Sequence, residues 1–304
     1  MPSIVLKVIR PVFSLGGKVA PLLTSRLAFA LFCLTPSRKP AGGKARQVHA
    51  DGRRRLAHAQ AMPFPLGGAK VMAYRFDGGS EKPRRRFLVV HGWGSAAAYI
   101  SALAQGLAAD GDEVVVLDFP GHGLSSGRHL HMRSAVDAIV EAERCFGPFD
   151  GAVGHSFGGA SLLLAAGGVM GGTSLASTPR LAVIGAPSRI EWLFDAFAQT
   201  LGLNEHAKQR LVRRAERVAE ASLEDFDTVS VAQKLGTPLL VVHAEDDKEV
   251  DASHARRFLA VAHARVHWAN GLGHRRIISD GSVIDTIRDF LRQEQEDGTR
   301  CSAA

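Results

Sequence analysis

From Phe87 onward the chain repeats one device: a short unbroken apolar run, a polar or glycine-rich turn, then a helical stretch. The runs are Phe87 to Val90, Val114 to Leu117, Gly151 to Val153, Leu181 to Ile184, Leu239 to Val242 and Arg265 to Trp268. A strand that is apolar at every position has both faces buried, and strands separated by helices run parallel. The expectation is an α/β fold, a mostly parallel sheet flanked by helices on both faces. In such sheets the chemistry gathers beyond the carboxyl ends of the strands. Beyond those ends lie His91-Gly92-Trp93-Gly94, Asp118 to Gly123, His155-Ser156-Phe157, His243 to Asp247, and Ala269 to His274.

The rest of the chain is arranged around this core, expected over 46–186 and 237–293. Strand-like stretches near Arg54 to Ala61 and Ala69 to Phe76, separated by Pro63 to Gly68, predict an antiparallel pair at a sheet edge. Between residues 187 and 236 no strand-like run occurs. Trp192, Phe194, Phe197 and Leu201, and then Arg213 to Val218, instead read as amphipathic helices placed over the strand ends as a cap. Residues 1–45 read as an apolar and basic helical extension. Its longest apolar run, Leu27 to Leu34, is far short of the roughly 20 residues that cross a bilayer. It ends without a cleavage site, so export is not expected; packing on the domain or on an anionic membrane surface is. The polar tail, 294–304, is expected to be disordered.

Composition narrows the partners. Three widely spaced cysteines, Cys33, Cys145 and Cys301, offer no disulfide framework and suit a reducing, cytoplasmic setting. The net charge of +7 is partly concentrated in Arg53 to Arg55 and Arg84 to Arg86, read as solvated residues just before strands. No aromatic residues interleave with these arginines, which argues against nucleic acid. His129 and His131 lack a third ligand at suitable spacing, so neither metal nor cofactor is expected.

Within Gly154-His155-Ser156-Phe157-Gly158 the serine stands between a strand and an apolar helix. Flanking glycines permit so sharp a turn, and the helix aims free N–H groups at the hydroxyl, the setting of a nucleophile. Gly123-Leu124-Ser125-Ser126-Gly127 has the same spacing but follows a Pro-Gly turn, so Ser125 reads as a loop serine. A serine nucleophile needs a base and a group that orients the base. His274, in a glycine-flanked loop after the last strand, is the expected base, while His155 and His91 read as structural or pocket-lining. Asp247 is the expected orienting acid, with Asp246 its rival. The backbone N–H groups of Trp93 and Phe157 are the expected oxyanion donors, and Trp192, Phe194 and Phe197 the expected pocket lining on the cap.

In order and spacing, His91-Gly92-Trp93-Gly94, Asp118 to Ser125, Gly154 to Gly159, Asp247 and Gly273-His274 resemble the α/β-hydrolase family, especially its lidded bacterial esterases, lipases and peptidase-like members. The resemblance spans about 70–293. It implies an eight-stranded, mostly parallel sheet, a Ser-His-Asp triad, no metal and a helical cap after the sixth strand. Ala244 stands where the family usually has glycine, and residues 1–45 lie outside the family core. The implied activity is hydrolysis of a carboxylic ester in a small-molecule substrate, with amide or thioester hydrolysis left open. Acyl transfer, cofactor-free peroxidase or lyase chemistry on the same fold, and a catalytically idle binding protein, are the alternatives.

Overall fold

The computed structural model describes residues 3–79, 84–176 and 179–293; the tail expected to be disordered lies outside them. Three helices come first: α1 (Ser3–Val19), α2 (Pro21–Phe32) and α3 (Gly43–Leu56). An antiparallel pair, β1 (Gln60–Leu66) and β2 (Ala69–Asp77), leads into β3 (Arg86–Val90), α4 (Ala97–Leu107), β4 (Glu113–Asp118) and α5 (Met132–Phe146). Then follow β5 (Gly151–His155), α6 (Phe157–Ala166) and β6 (Leu181–Ile184). Three helices, α7 (Glu191–Leu201), α8 (Glu205–Ala219) and α9 (Thr228–Leu235), separate β6 from β7 (Leu239–His243). The chain closes with α10 (Ser253–Arg256), β8 (Ala264–Trp268), α11 (Gly273–Arg276) and α12 (Gly281–Arg292).

The eight strands form one sheet in the order β1-β2-β4-β3-β5-β6-β7-β8, parallel from β4 to β8 and antiparallel at the β1–β2–β4 end. Every residue of β4, β5, β6 and β7 is buried, as unbroken apolar runs require. The order reverses direction at β3, so the loops after β3 and β5 open side by side at the carboxyl edge. Helix α6 is buried from Gly158 through Ala165, which its uniformly small and apolar sequence allows.

The expected strand over Arg54 to Ala61 is corrected. Arg53, Arg54 and Arg55 form the last turn of α3, and β1 begins at Gln60. The helix is held by Gly52, where an added Cβ would lie 1.8 Å from the Ala98 carbonyl oxygen, and by buried Leu56 one turn on. Pro63 and Pro65, expected in a connecting segment, lie inside β1. Residues two apart present their N–H positions on the same side of a strand, so both prolines leave their missing donors on the open edge. That arrangement also blunts the edge against pairing with another chain.

Helices α1 and α2 pack across α7 and α8. Phe32 of α2 stacks on Phe194, with ring centroids 4.7 Å apart, and meets Phe197 edge-on at 5.1 Å. The segment after α2 then crosses the sheet's carboxyl edge. Thr35 N–H donates to the Arg128 carbonyl at 2.9 Å, Leu130 N–H to the Cys33 carbonyl at 2.9 Å, and Thr35 Oγ1 to the Gly121 carbonyl at 3.1 Å. Among the described residues no helix is long and apolar enough to cross a membrane.

Candidate active site

Ser156 has φ 53° and ψ −122°, a backbone conformation L residues avoid, between the end of β5 and the start of α6. Its neighbours must be glycine. A Cβ at Gly154 would lie 2.6 Å from the Gly158 carbonyl oxygen, and one at Gly158 would lie 2.4 Å from that of His91. The Phe157 N–H, in the first turn of α6, has no acceptor within its own helix and sits at the positive end of the helix dipole.

The loop after β3 is gripped from two sides. His91 Nε2 accepts the Phe119 N–H at 3.0 Å, so its proton is on Nδ1, which donates to the Gly92 carbonyl at 2.7 Å. In a trans peptide the carbonyl and the following N–H point opposite ways. Fixing the Gly92 oxygen therefore fixes the Trp93 N–H on the other side of that peptide. His122 works likewise: its Nε2 accepts the Gly94 N–H at 3.0 Å, and its Nδ1 donates to the Pro120 carbonyl at 3.1 Å. Burial holds both rings neutral, pushing His91 down to about 4 and His122 to about 3, the latter helped by the neighbouring His91.

Asp118, at the end of β4, braces the same edge. One carboxylate oxygen accepts the Ala97 N–H at 2.7 Å, and the other accepts the Leu124 N–H at 2.9 Å and the Tyr74 hydroxyl at 3.3 Å. Gly123 is required beside it, since a Cβ there would lie 1.9 Å from the carboxylate. Ser125 is buried, donates to the Asp118 carbonyl at 2.5 Å and accepts the Met72 N–H at 2.8 Å. Its hydroxyl is committed to backbone, which suits a loop serine and not a nucleophile.

His274, 8% exposed, faces Asp247 with 2.7 Å between Nδ1 and Oδ2. The second Asp247 oxygen accepts the N–H groups of Glu249 and Val250 at 2.8 and 2.9 Å. Burial raises the Asp247 carboxyl, but the hydrogen bonds from His274 and these N–H groups outweigh it and leave the group below its ordinary value. Asp246 is turned elsewhere, accepting the Gly271 N–H at 2.7 Å and so bracing the loop that carries His274. Gly185 supplies the space: at φ +55°, its Cβ would lie 3.2 Å from His274 Nδ1 and 3.4 Å from Asp247 Oδ2.

His155 is buried, and its Nε2 donates to the His274 carbonyl at 3.0 Å, with ring centroids 4.8 Å apart. It anchors the backbone of His274. Its other nitrogen has no partner among the described residues, and burial first, then the nearby His274, hold the ring's pKa near 3. His131 caps α5, accepting the Ser134 N–H at 3.1 Å.

Ser156, Phe157, Trp93, His155 and His274 line a single cavity of about 1620 Å³. That exceeds the usual range of roughly 300–1,000 Å³ for small-ligand sites. Trp192, Phe194 and Phe197 of α7 line it as well, Phe194 buried and Trp192 39% exposed. The chain's beginning also lines it, through residues from Phe29 to Leu56. Sequence reading missed that contribution, and it missed the roles of Asp118, His122 and Gly185. His49, on α3, lines the cavity too.

The alpha/beta hydrolase family matches residues 87–284. No curated protein matches the chain. Among solved structures, the Pyrococcus furiosus esterase Pf2001 superposes with TM-score 0.58 at 16% identity, covering 85% of this chain and 98% of that one. Est1E from Butyrivibrio proteoclasticus gives 0.56 at 20%, over 76% and 97%. A bacterial membrane phospholipase A gives 0.57 at 19%, over 96% and 98%. At such identities the superpositions speak for the fold, and the family match covers most of the chain. The chain belongs to the alpha/beta hydrolase family.

Proposed function

We propose that this protein is a serine hydrolase that cleaves carboxylic esters through an acyl-enzyme. In this reading Ser156 Oγ attacks the ester carbonyl while His274 Nε2 takes its proton. Asp247 holds the other ring proton and stabilises the imidazolium. The oxyanion is met by the Trp93 and Phe157 N–H groups. His274 then protonates the departing alcohol, and water, deprotonated by the same histidine, releases the acid. The observation that carries the reading is the 2.7 Å His274–Asp247 contact, in the cavity that Ser156 lines from its strained turn.

The helices within 187–236 act as a cap, and α2 packs against it through Phe32. The cavity's size and its phenylalanines favour a long acyl chain. A series of p-nitrophenyl esters from acetate to palmitate tests this. Activity should rise with chain length to an optimum of eight carbons or longer, as roughly 0.8 kcal/mol per buried methylene predicts. An optimum at acetate, or no turnover at any length, would refute the reading.

Helices α1 and α2 also expose Val12, Leu15, Val19, Leu22, Leu23 and Leu27, with the exposed cations Lys18 and Arg26 among them. We read this face as a contact with an anionic membrane surface. The intact protein should sediment with vesicles rich in phosphatidylglycerol, and Leu22→Glu with Leu27→Glu should abolish that. Equal sedimentation of both proteins would exclude this face.

A further inference from the structure

The cavity has two chemistries. Its depth is apolar, lined by Phe29, Phe32, Leu130, Ile190, Phe194 and Phe226. Its mouth is cationic: Arg38, Lys39, Lys44, Arg53, Arg275 and Arg276 all line it, and all are exposed. The lining carries two carboxylates in return. Glu249 is engaged by Arg275 at 2.7 Å, and Asp118 is 1% exposed and held by backbone N–H groups. Of the mouth cations, Arg38 donates to the carbonyls of Gly121 and Gly127, and Arg276 to those of Leu272 and Gly271. Lys39, Lys44 and Arg53 have no side-chain hydrogen bond or ion pair among the described residues.

The geometry of α3 explains why. Lys44, Val48, His49 and Arg53 all line the cavity, spread over half the circumference of the helix with Lys44 and Arg53 at the two margins. Asp51 projects close to Lys44 but does not line the cavity, and its carboxylate is taken by Arg54 and Gln47. The helix cannot shift away, because Gly52 sits directly against the start of α4. The cavity-facing side of α3 thus presents cations without their counter-charges. A substrate that buried only an apolar chain would have no use for them, and uncompensated like charges around a mouth repel one another.

We propose that the ester taken by this site carries a phosphate on its alcohol side, met by Lys39, Lys44 and Arg53 while the acyl chain fills the apolar depth. The inference rests on the serine-hydrolase reading for the ester, and on the charge of the mouth for the phosphate. A phosphate accepts hydrogen bonds from several cations at once, and a charged group is excluded from the apolar depth by its desolvation cost.

Binding can be read without turnover, because Trp93 and Trp192 line the cavity and report by fluorescence. Decyl phosphate and decanol would be titrated into the full chain and into the Lys39→Ala, Lys44→Ala, Arg53→Ala triple variant, with circular dichroism confirming its fold. The full chain should bind decyl phosphate at least tenfold more tightly than decanol, and the preference should shrink as salt is raised from 0.05 to 0.5 M. The triple variant should lose it, and the charge-preserving Lys39→Arg, Lys44→Arg, Arg53→Lys variant should keep it. Equal binding of the two probes by the full chain, or an undiminished preference in the triple variant, would overturn the proposal.

Turnover separates this inference from the reading beneath it. With one acyl chain, the KM for an acylglycerol phosphate should fall at least tenfold below that for the neutral acylglycerol. Phosphate-selective binding with no hydrolysis of either ester would sink the hydrolase reading, while hydrolysis without a KM difference would sink the phosphate site. Faster turnover in vesicles than for the monomeric ester identifies the phosphate as a lipid headgroup. Equal turnover identifies a soluble phosphate ester, and either result upholds the site.

Discussion

Ser156→Ala and His274→Ala are each expected to lower kcat on the best p-nitrophenyl ester by about four to six orders of magnitude, and the double variant by no more than either alone. The reason is that in the proposed mechanism the two act as one unit. Without the hydroxyl there is nothing for the base to deprotonate, and without the base the hydroxyl is a weak nucleophile. KM should change little, since the apolar walls that bind the chain stay in place. Asp247→Asn should cost somewhat less, about 10⁴-fold, because its amide can present a donor to His274 Nδ1 and so favour the wrong tautomer. Asp246→Asn should be mild, because that side chain braces Gly271 and does not face His274. Steady-state kinetics on the five proteins checks all of this. Additive losses in the double variant would mean that the two residues do not share a step.

Stability should fall steeply with acid, from about pH 6.5 downward. His91, His122 and His155 are 0%, 3% and 5% exposed, and burial holds them at about 4, 3 and 3. Unfolded, each titrates near 6.5. The unfolded chain therefore binds protons that the folded chain refuses, and the folded state loses stability as pH drops below 6.5, until each folded pKa is reached. At pH 5 the loss is about 2 kcal/mol per ring, or roughly 6 kcal/mol for the three. That rivals the whole stability of many domains, about 5–15 kcal/mol. Asp118, raised by burial, opposes this trend and offsets part of it. Asp247 lies below its ordinary value, so its own contribution is lost only as pH falls below about 4. Urea unfolding at pH 7.5, 6 and 5 should show the midpoint falling throughout, and His122→Gln should flatten the slope. A midpoint unchanged between pH 7.5 and 5 would contradict the neutral, buried assignment of these rings.

These histidines also mark where the sequence could be read and where it could not. Strands β3 to β7 were legible because each is built on an unbroken apolar run, a pattern that burial on both faces imposes locally, whereas β8, at the other edge of the sheet, carries Arg265 and His267 and has no buried residue. The turn at Ser156 was legible because one of its glycines answers to a contact inside the pentapeptide itself, Gly154 against Gly158, although Gly158 answers to the distant His91 carbonyl. Helix α3 was not, because it packs through a glycine against α4 and shows little apolar periodicity. Nor was β1, whose prolines are tolerated only because it is the edge strand, which is a property of the sheet order. The segment after α2 is held by Thr35 bonds to Gly121 and Arg128, 86 and 93 residues away. The grip of His122 on Gly94 spans 28 residues. Contacts of that range leave no local pattern to read.

Covalent labelling with a fluorophosphonate, followed by peptide mass analysis, reads the nucleophile directly. Stoichiometric phosphonylation of the peptide carrying Ser156 is expected, slowed by orders of magnitude in His274→Ala and absent in Ser156→Ala. Retained labelling of Ser156→Ala, or labelling at Ser125, would contradict Ser156 as the nucleophile.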